Sequence, residues 1–177
     1  MDKHSTRKHI VLVGFMGTGK STVSHLLAER LGCKAIDTDA ELERREGRKI
    51  RDIFAEQGEA AFRKIETSVL GAVLSEKECH VIATGGGAVL AAENRELMSS
   101  HGLVVALKAD PACIIERVGK DAARPLLQGN PEVWVPKLLE DRKHAYDFAH
   151  LAIETAPLTA EQVADQIWER WQQEAGN

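Results

Sequence analysis

The run Gly14-Phe-Met-Gly-Thr-Gly-Lys-Ser21 fills every position of the pattern GxxxxGK[ST], and that leaves the chain few folds to adopt. Such a loop works only between a strand and a helix. Its glycines let backbone N–H groups turn inward around phosphate oxygens with no Cβ in the way. The helix behind it then offers unpaired N–H groups and the positive end of its dipole to the anion. Both flanks are present. Ile10–Val13 is an apolar run of strand length, and Val23, Leu26, Leu27 and Leu31 follow helical spacing until Gly32 stops it. In this motif Gly17, Thr18, Gly19 and Thr22 belong to the cradle. Lys20 reaches toward the outer phosphates, and the Ser21 hydroxyl can ligate Mg²⁺.

The remaining sequence continues the alternation. Strand-length apolar runs recur at Lys34–Ile36, Val81–Thr84, Leu103–Leu107 and Leu151–Ile153, with helical patterning between them. That rhythm predicts an α/β fold with a parallel sheet covered on both faces. Glu59–Glu76 reads as a helix with Phe62, Ile65, Val69 and Val73 down one side, and a last helix should start at Thr159 as N-cap. The stretch Val118–Pro131, rich in charge, Gly and Pro, interrupts the rhythm and reads as a mobile loop. Loops of that length inside a compact domain are often functional. At 177 residues the chain fits one domain.

Composition excludes several classes. A net charge of -4 argues against a general nucleic-acid binder. The polar, basic start and the short run after it suit neither a signal segment nor a membrane span. Cys33, Cys79 and Cys113 lie far apart in sequence, without a CxxC pair, which is neither a disulfide framework nor a zinc site and suits a reducing, cytoplasmic setting. The seven histidines form no HExxH pattern and are assigned no chemistry. A guanine-reading NKxD stretch is absent. The strand Val81–Thr84 runs into Gly85-Gly86-Gly87, where an ATPase of the ABC or AAA type would carry an acid. Kinases of small molecules or nucleotides remain.

Other positions carry chemistry in that setting. Asp37 and Asp39 follow the second predicted strand, at the carboxyl end where parallel sheets place ligands. If the extension continues, alternation points both carboxylates the same way. One could hold magnesium and the other take a hydrogen bond or proton from a substrate hydroxyl; either could instead cap the next helix. Arg63 and Glu66 are three apart on one helix and would in isolation be a solvated pair. Gly85, Gly86 and Gly87 permit backbone to approach a ligand closely, or form a plain turn. Arg124 sits in the loop, where an arginine can neutralise a transferring phosphoryl group. Arg142 belongs to a charged helical stretch ending near Tyr146.

Taken together the chain resembles the shikimate kinase family. The resemblance rests on the glycine loop, Asp37-Thr-Asp39, the run Ile53–Glu66, Ile82-Ala-Thr-Gly-Gly-Gly87, Arg124-Pro-Leu-Leu127 and Arg142–Tyr146, in the family's order and spacing. It implies a P-loop, nucleoside-monophosphate-kinase-like fold with a five-stranded parallel sheet in the order 2-3-1-4-5, flanked by helices, with a mobile lid at about 118–130 and a substrate-binding helical segment at about 38–66. It implies transfer of the γ-phosphoryl group of ATP to the 3-hydroxyl of shikimate, with Mg²⁺, in a cytoplasmic monomer engaging neither nucleic acid nor membrane. On that resemblance Asp39 binds the substrate hydroxyls and assists proton removal, while Arg63 and Arg142 grip the carboxylate. Glu66 holds the arginines, and Gly85, Gly86 and Gly87 line the pocket. Asp37 joins Ser21 in the magnesium shell, Arg124 comes down on the phosphates, and Arg117 stacks on adenine. The chain departs from the family at Val118, where threonine is common, and matches it loosely around Glu154–Pro157. A gluconate-type kinase, a non-catalytic nucleotide sensor and a nucleic-acid-stimulated NTPase are the rival readings.

Overall fold

Strand β1 (His9–Gly14) has no exposed residue in six, a pattern that only a strand covered on both faces sustains. It lies at the centre of the sheet. On one side it pairs in parallel with β3 (His80–Ala83), from Ile10↔Val81 to Leu12↔Ala83. On the other it pairs with β4 (Gly102–Lys108), from His9↔Gly102 to Gly14↔Leu107. Strand β2 (Lys34–Asp37) adds outside β3, and β5 (Leu151–Glu154) outside β4. All pairs are parallel and the order is β2-β3-β1-β4-β5, as the family resemblance implied. The computed structural model describes residues 7–120 and 129–176; most of the expected lid, including Arg124, lies outside them.

Alternation along the strands sorts the core into two layers. Val11, Val13, Ile82 and Val104 pack against Phe62, Val69 and Val73 of α3 (Ile50–Leu74) and Met98 of α4 (Ala92–His101). Ile10, Leu12, Val81 and Val105 face the opposite way, onto Val23 and Leu27 of α1 (Lys20–Leu31) and Val163 and Ile167 of α7 (Ala160–Ala175). Helices α5 (Pro111–Gly119) and α6 (Pro131–Asp141) cover Phe15 through Ile114 and Val135. The helix ends follow local chemistry. Gly32 closes α1 in the left-handed conformation, its N–H reaching Ala28 and Glu29. Thr159 and Gln162 form a reciprocal capping box at the start of α7.

At the amino edge of the sheet the imidazole of His9 is fully partnered. Its Nε2 lies 3.1 Å from the Leu74 carbonyl and its Nδ1 accepts the His80 N–H at 3.2 Å. Burial lowers its pKa, so it is a neutral structural group. At the same edge Arg7 Nη1 donates to both carboxylate oxygens of Glu174, at 3.2 and 3.1 Å.

Three local expectations need correction. The extension after β2 does not continue: Asp37 is its last residue, and α2 (Thr38–Glu46) begins at once. The helix expected from Glu59 starts earlier, at Ile50, and is broken at Gly58, whose φ of 81° and ψ of 176° leave the helical region. The expected start thus coincides with the far side of a kink. Arg142 is not inside a helix; it is the C-cap of α6, and the residues to Phe148 form turns.

Candidate active site

The glycine loop joins β1 to α1 at the carboxyl end of the sheet. Gly19, with φ at 91°, precedes the first helical residue, Lys20, and the first turn of α1 carries no acid to compete with an anion. The Lys20 ammonium bends back across the loop, donating to the carbonyls of Gly14 at 2.7 Å and Phe15 at 2.9 Å. The buried Thr18 hydroxyl donates to Phe15 at 2.7 Å. Arg117 of α5 braces the loop from outside, its Nη1 donating to the Gly17 carbonyl at 2.8 Å.

Opposite the loop, α2 carries Asp39 in its first turn. The carboxylate of Asp37 caps this helix, its Oδ1 accepting the N–H groups of Asp39 at 2.9 Å and Ala40 at 3.0 Å. The capping alternative raised from sequence is therefore realised, and it uses one carboxylate oxygen for both bonds. Thr38 ties the same turn to the end of β3 by accepting the Gly85 N–H at 3.2 Å.

The glycine run after β3 is the point where the site closes up. A Cβ on Gly85 would stand 2.6 Å from Asp39 Oδ1, and one on Gly87 would collide with the Arg63 guanidinium. The Gly86 carbonyl accepts Arg142 Nη1 at 3.3 Å. Three consecutive glycines thus each touch a different charged side chain: Asp39, Arg142 and Arg63. A side chain at position 85 or 87 would have to displace Asp39 or Arg63, whereas a Cβ at position 86 would make only ordinary contacts. Arg63 is held by Glu66, to which its Nη1 donates at 2.8 Å, and Glu66 is 4% exposed. Burial raises the Glu66 pKa against the pull of Arg63 and Arg142. The Arg142 guanidinium lies 5.7 Å above the Phe15 ring.

Asp39 is electrostatically unusual. Burial, and after it the charges of Asp37 and Glu66, push its pKa from 3.8 up to about 6, against the pull of Lys20 and Arg63. A carboxyl that is desolvated, set among two acids and two bases, and open to a cleft is a frequent sign of a functional site.

The cleft has a volume of ≈ 1210 Å³, enough for more than one small ligand. Lys20, Ser21, Asp37, Asp39, Arg63, Glu66, Gly85–Gly87, Arg117 and Arg142 all line it. Sequence reading put Phe62 on the apolar side of a helix and gave Phe54 no role of its own; both also line the cleft and pack with ring centroids 4.6 Å apart. They sit on either side of the Gly58 break, and helical periodicity alone reads Phe62 as core. Thr155 and Leu158 complete the wall beyond the loop.

The donor set also fits a magnesium ion shared with a ligand. Among the described residues no group of three or more His, Cys, Asp or Glu side chains could hold a metal by itself. The Ser21 hydroxyl and the Asp37 carboxylate share the cleft, and one or two oxygen donors beside phosphate and water oxygens is the usual environment of Mg²⁺.

Comparison with known proteins agrees with this geometry. The sequence model of the shikimate kinase family matches residues 16–172. Shikimate kinase of Thermodesulfovibrio yellowstonii is 42% identical over 161 residues, covering 90% of this chain and 92% of its own length. That of Geobacter sulfurreducens is 44% identical over 169 residues, covering 94% and 92%. Among solved structures, shikimate kinase from Acinetobacter baumannii in complex with shikimate superposes with a TM-score of 0.87 at 42% identity, covering 96% of this chain and 95% of that one. A gluconokinase from Sinorhizobium meliloti shares the fold at 19% identity and a TM-score of 0.57. The chain belongs to the shikimate kinase family.

Proposed function

We propose that this chain transfers the γ-phosphoryl group of ATP to the 3-hydroxyl of shikimate, a step in aromatic amino-acid biosynthesis. One observation carries the reading: Asp39, Arg63 and Arg142 converge on Gly85–Gly87, across the cleft from Lys20. Two guanidinium groups flanking a glycine floor suit a carboxylate, which a guanidinium fork can bind through two parallel hydrogen bonds. A carboxylate between them suits a hydroxyl. Together they fit a small hydroxy acid, and family membership supports shikimate as that acid.

In this reading the loop amides and Lys20 hold the ATP phosphates, and Lys20 exchanges its bonds to Gly14 and Phe15 for phosphate oxygens. Thr18 keeps the loop in shape, and Gly17, Gly19 and Thr22 complete the cradle. Arg117, by family resemblance, would pack on the base. Mg²⁺, held by Ser21 and by Asp37 directly or through water, would neutralise charge on the phosphates. Asp39 accepts a hydrogen bond from the attacking hydroxyl and takes its proton, while Arg63, positioned by Glu66, and Arg142 fix the ring. Arg124 belongs to the transferring group by family resemblance. Phosphoryl transfer needs little covalent help, so positioning and electrostatics supply most of the acceleration. We read residues 1–177 as one kinase domain with its substrate segment at 38–66, working as a cytoplasmic monomer. No helix among the described residues is long and apolar enough to cross a membrane.

The test is shikimate-dependent ADP release by the purified chain with ATP and Mg²⁺. Lys20→Ala and Asp39→Ala should lower kcat by about a thousandfold or more. Arg142→Ala should mainly raise the KM for shikimate, by about tenfold to a hundredfold. Release of ADP with gluconate but not with shikimate, or full turnover in Asp39→Ala, would overturn the assignment.

A further inference from the structure

Cys33 and Cys79 are 46 positions apart in the sequence but neighbours in the fold. Strands β2 and β3 pair in parallel with Lys34 opposite His80. Cys33 and Cys79 each stand one residue before that pair, just outside the strands, so the register carried one step further would bring them opposite each other. Residues opposed in a parallel ladder point to the same face of the sheet, with strands about 4.8 Å apart. That separation falls inside the Cα–Cα range of roughly 4.4 to 6.8 Å that a disulfide spans. The two thiols lie close enough for each to influence the other's titration. Both are free thiols, partly open to solvent. Cys113 lies elsewhere, in the first turn of α5.

We propose that Cys33 and Cys79 form a dithiol–disulfide couple that closes the amino ends of β2 and β3 onto each other. The oxidant is a peroxide. One thiolate attacks hydrogen peroxide, breaking the O–O bond and leaving a sulfenic acid and hydroxide. The second thiol then attacks that sulfur, forming the S–S bond and releasing water. Two thiols and one peroxide give one disulfide and two waters. Burial pushes both thiol pKa values up, that of Cys79 to about 11. Little thiolate is present at neutral pH, so oxidation is slow and accelerates as pH rises. The pair is suited to sustained oxidative exposure and not to fast sensing.

The bond would close a loop of residues 34–78 that contains α2, α3 and the residues Asp37, Asp39, Arg63 and Glu66. It lies at the opposite end of the strands from the cleft, about 13 Å along β2. Turnover should therefore survive while unfolding becomes harder, because the closed loop restricts the unfolded chain.

The experiment exposes the full-length protein to hydrogen peroxide at pH 8 and follows intact mass, thiol titration and a peptide map. The expected product has lost two hydrogens, retains one titratable thiol of three, and yields a Cys33–Cys79 linked peptide. Its melting midpoint should rise by about 10 °C and return with dithiothreitol, with kcat unchanged within about twofold. Cys113→Ser should cross-link as the unsubstituted protein does, and Cys79→Ser should not. A link involving Cys113, separate oxidation of Cys33 and Cys79 to sulfinic acids, or three thiols persisting after prolonged exposure would each overturn the proposal. The peptide map of the unsubstituted protein decides the matter even if a serine variant fails to fold.

Discussion

An aspartate in an unfolded chain releases its proton near pH 3.8, whereas Asp39 holds its proton up to about 6. Between those values the folded state binds more protons than the unfolded one, so this group makes the protein less stable as pH rises through 6. The loss should be about 2 kcal/mol, less than the full shift would give because the side chain is only partly buried and water screens it. Asp39→Asn should remove that pH dependence and raise the melting midpoint at pH 7.5 while abolishing turnover. Parallel thermal melts at pH 5 and 7.5 would show it, and an unchanged pH slope in the variant would refute it. For the unsubstituted protein, kcat/KM for shikimate should rise with an inflection near pH 6 as the carboxylate forms. The sequence exposed the identity of this residue but not its energetics. The neighbours that raise its pKa include Glu66, 27 positions away, and only the packing of α3 against α2 brings it near.

At the scale of elements, the turn after β3 shows how helices hold loops to the site. Asn94 of α4, 1% exposed, donates from Nδ2 to the Ala88 carbonyl at 2.9 Å. Arg95 donates to Val89 at 2.7 Å. These bonds fix the short 3-10 turn (Ala88–Leu90) that directly follows Gly87. Asn94→Ala leaves a buried carbonyl unpaired, a cost of about 1–3 kcal/mol. It should raise the KM for shikimate severalfold more than it lowers kcat, and a shikimate titration would separate the two. Nothing in the sequence pointed to Asn94, because a polar residue on an amphipathic helix normally faces water. Helix ends were far more legible. Gly32 and Thr159 act locally, and both took the predicted caps. The start of α3 was missed because Gly58 breaks the apolar spacing, so the turns before it lose phase with those after. Arg142 was misplaced for a related reason: charged residues after a helix resemble its continuation, and the chain turns there to bring the guanidinium to Gly86.

For the molecule as a whole, parallel pairing was readable because the central strands are buried throughout and each crossover holds a helix, while the strand order came from the family resemblance. The convergence of Asp39, Arg63 and Arg142 was not readable from spacing. It depends on two separate crossovers, β2 to β3 and β4 to β5, ending beside the glycine run after β3, and family resemblance supplied it. A similar lesson holds at the far edge, where the ion pair of Arg7 with Glu174 sets the first described strand beside the last helix. The two ends of the described chain therefore lie side by side. A circular permutant that joins Arg7 to Gly176 through a short flexible linker and opens the exposed turn at Lys77 should still phosphorylate shikimate within a few-fold of the parent rate. A permutant that folds, by circular dichroism, yet has lost turnover would mean that chain order matters to the cleft after all.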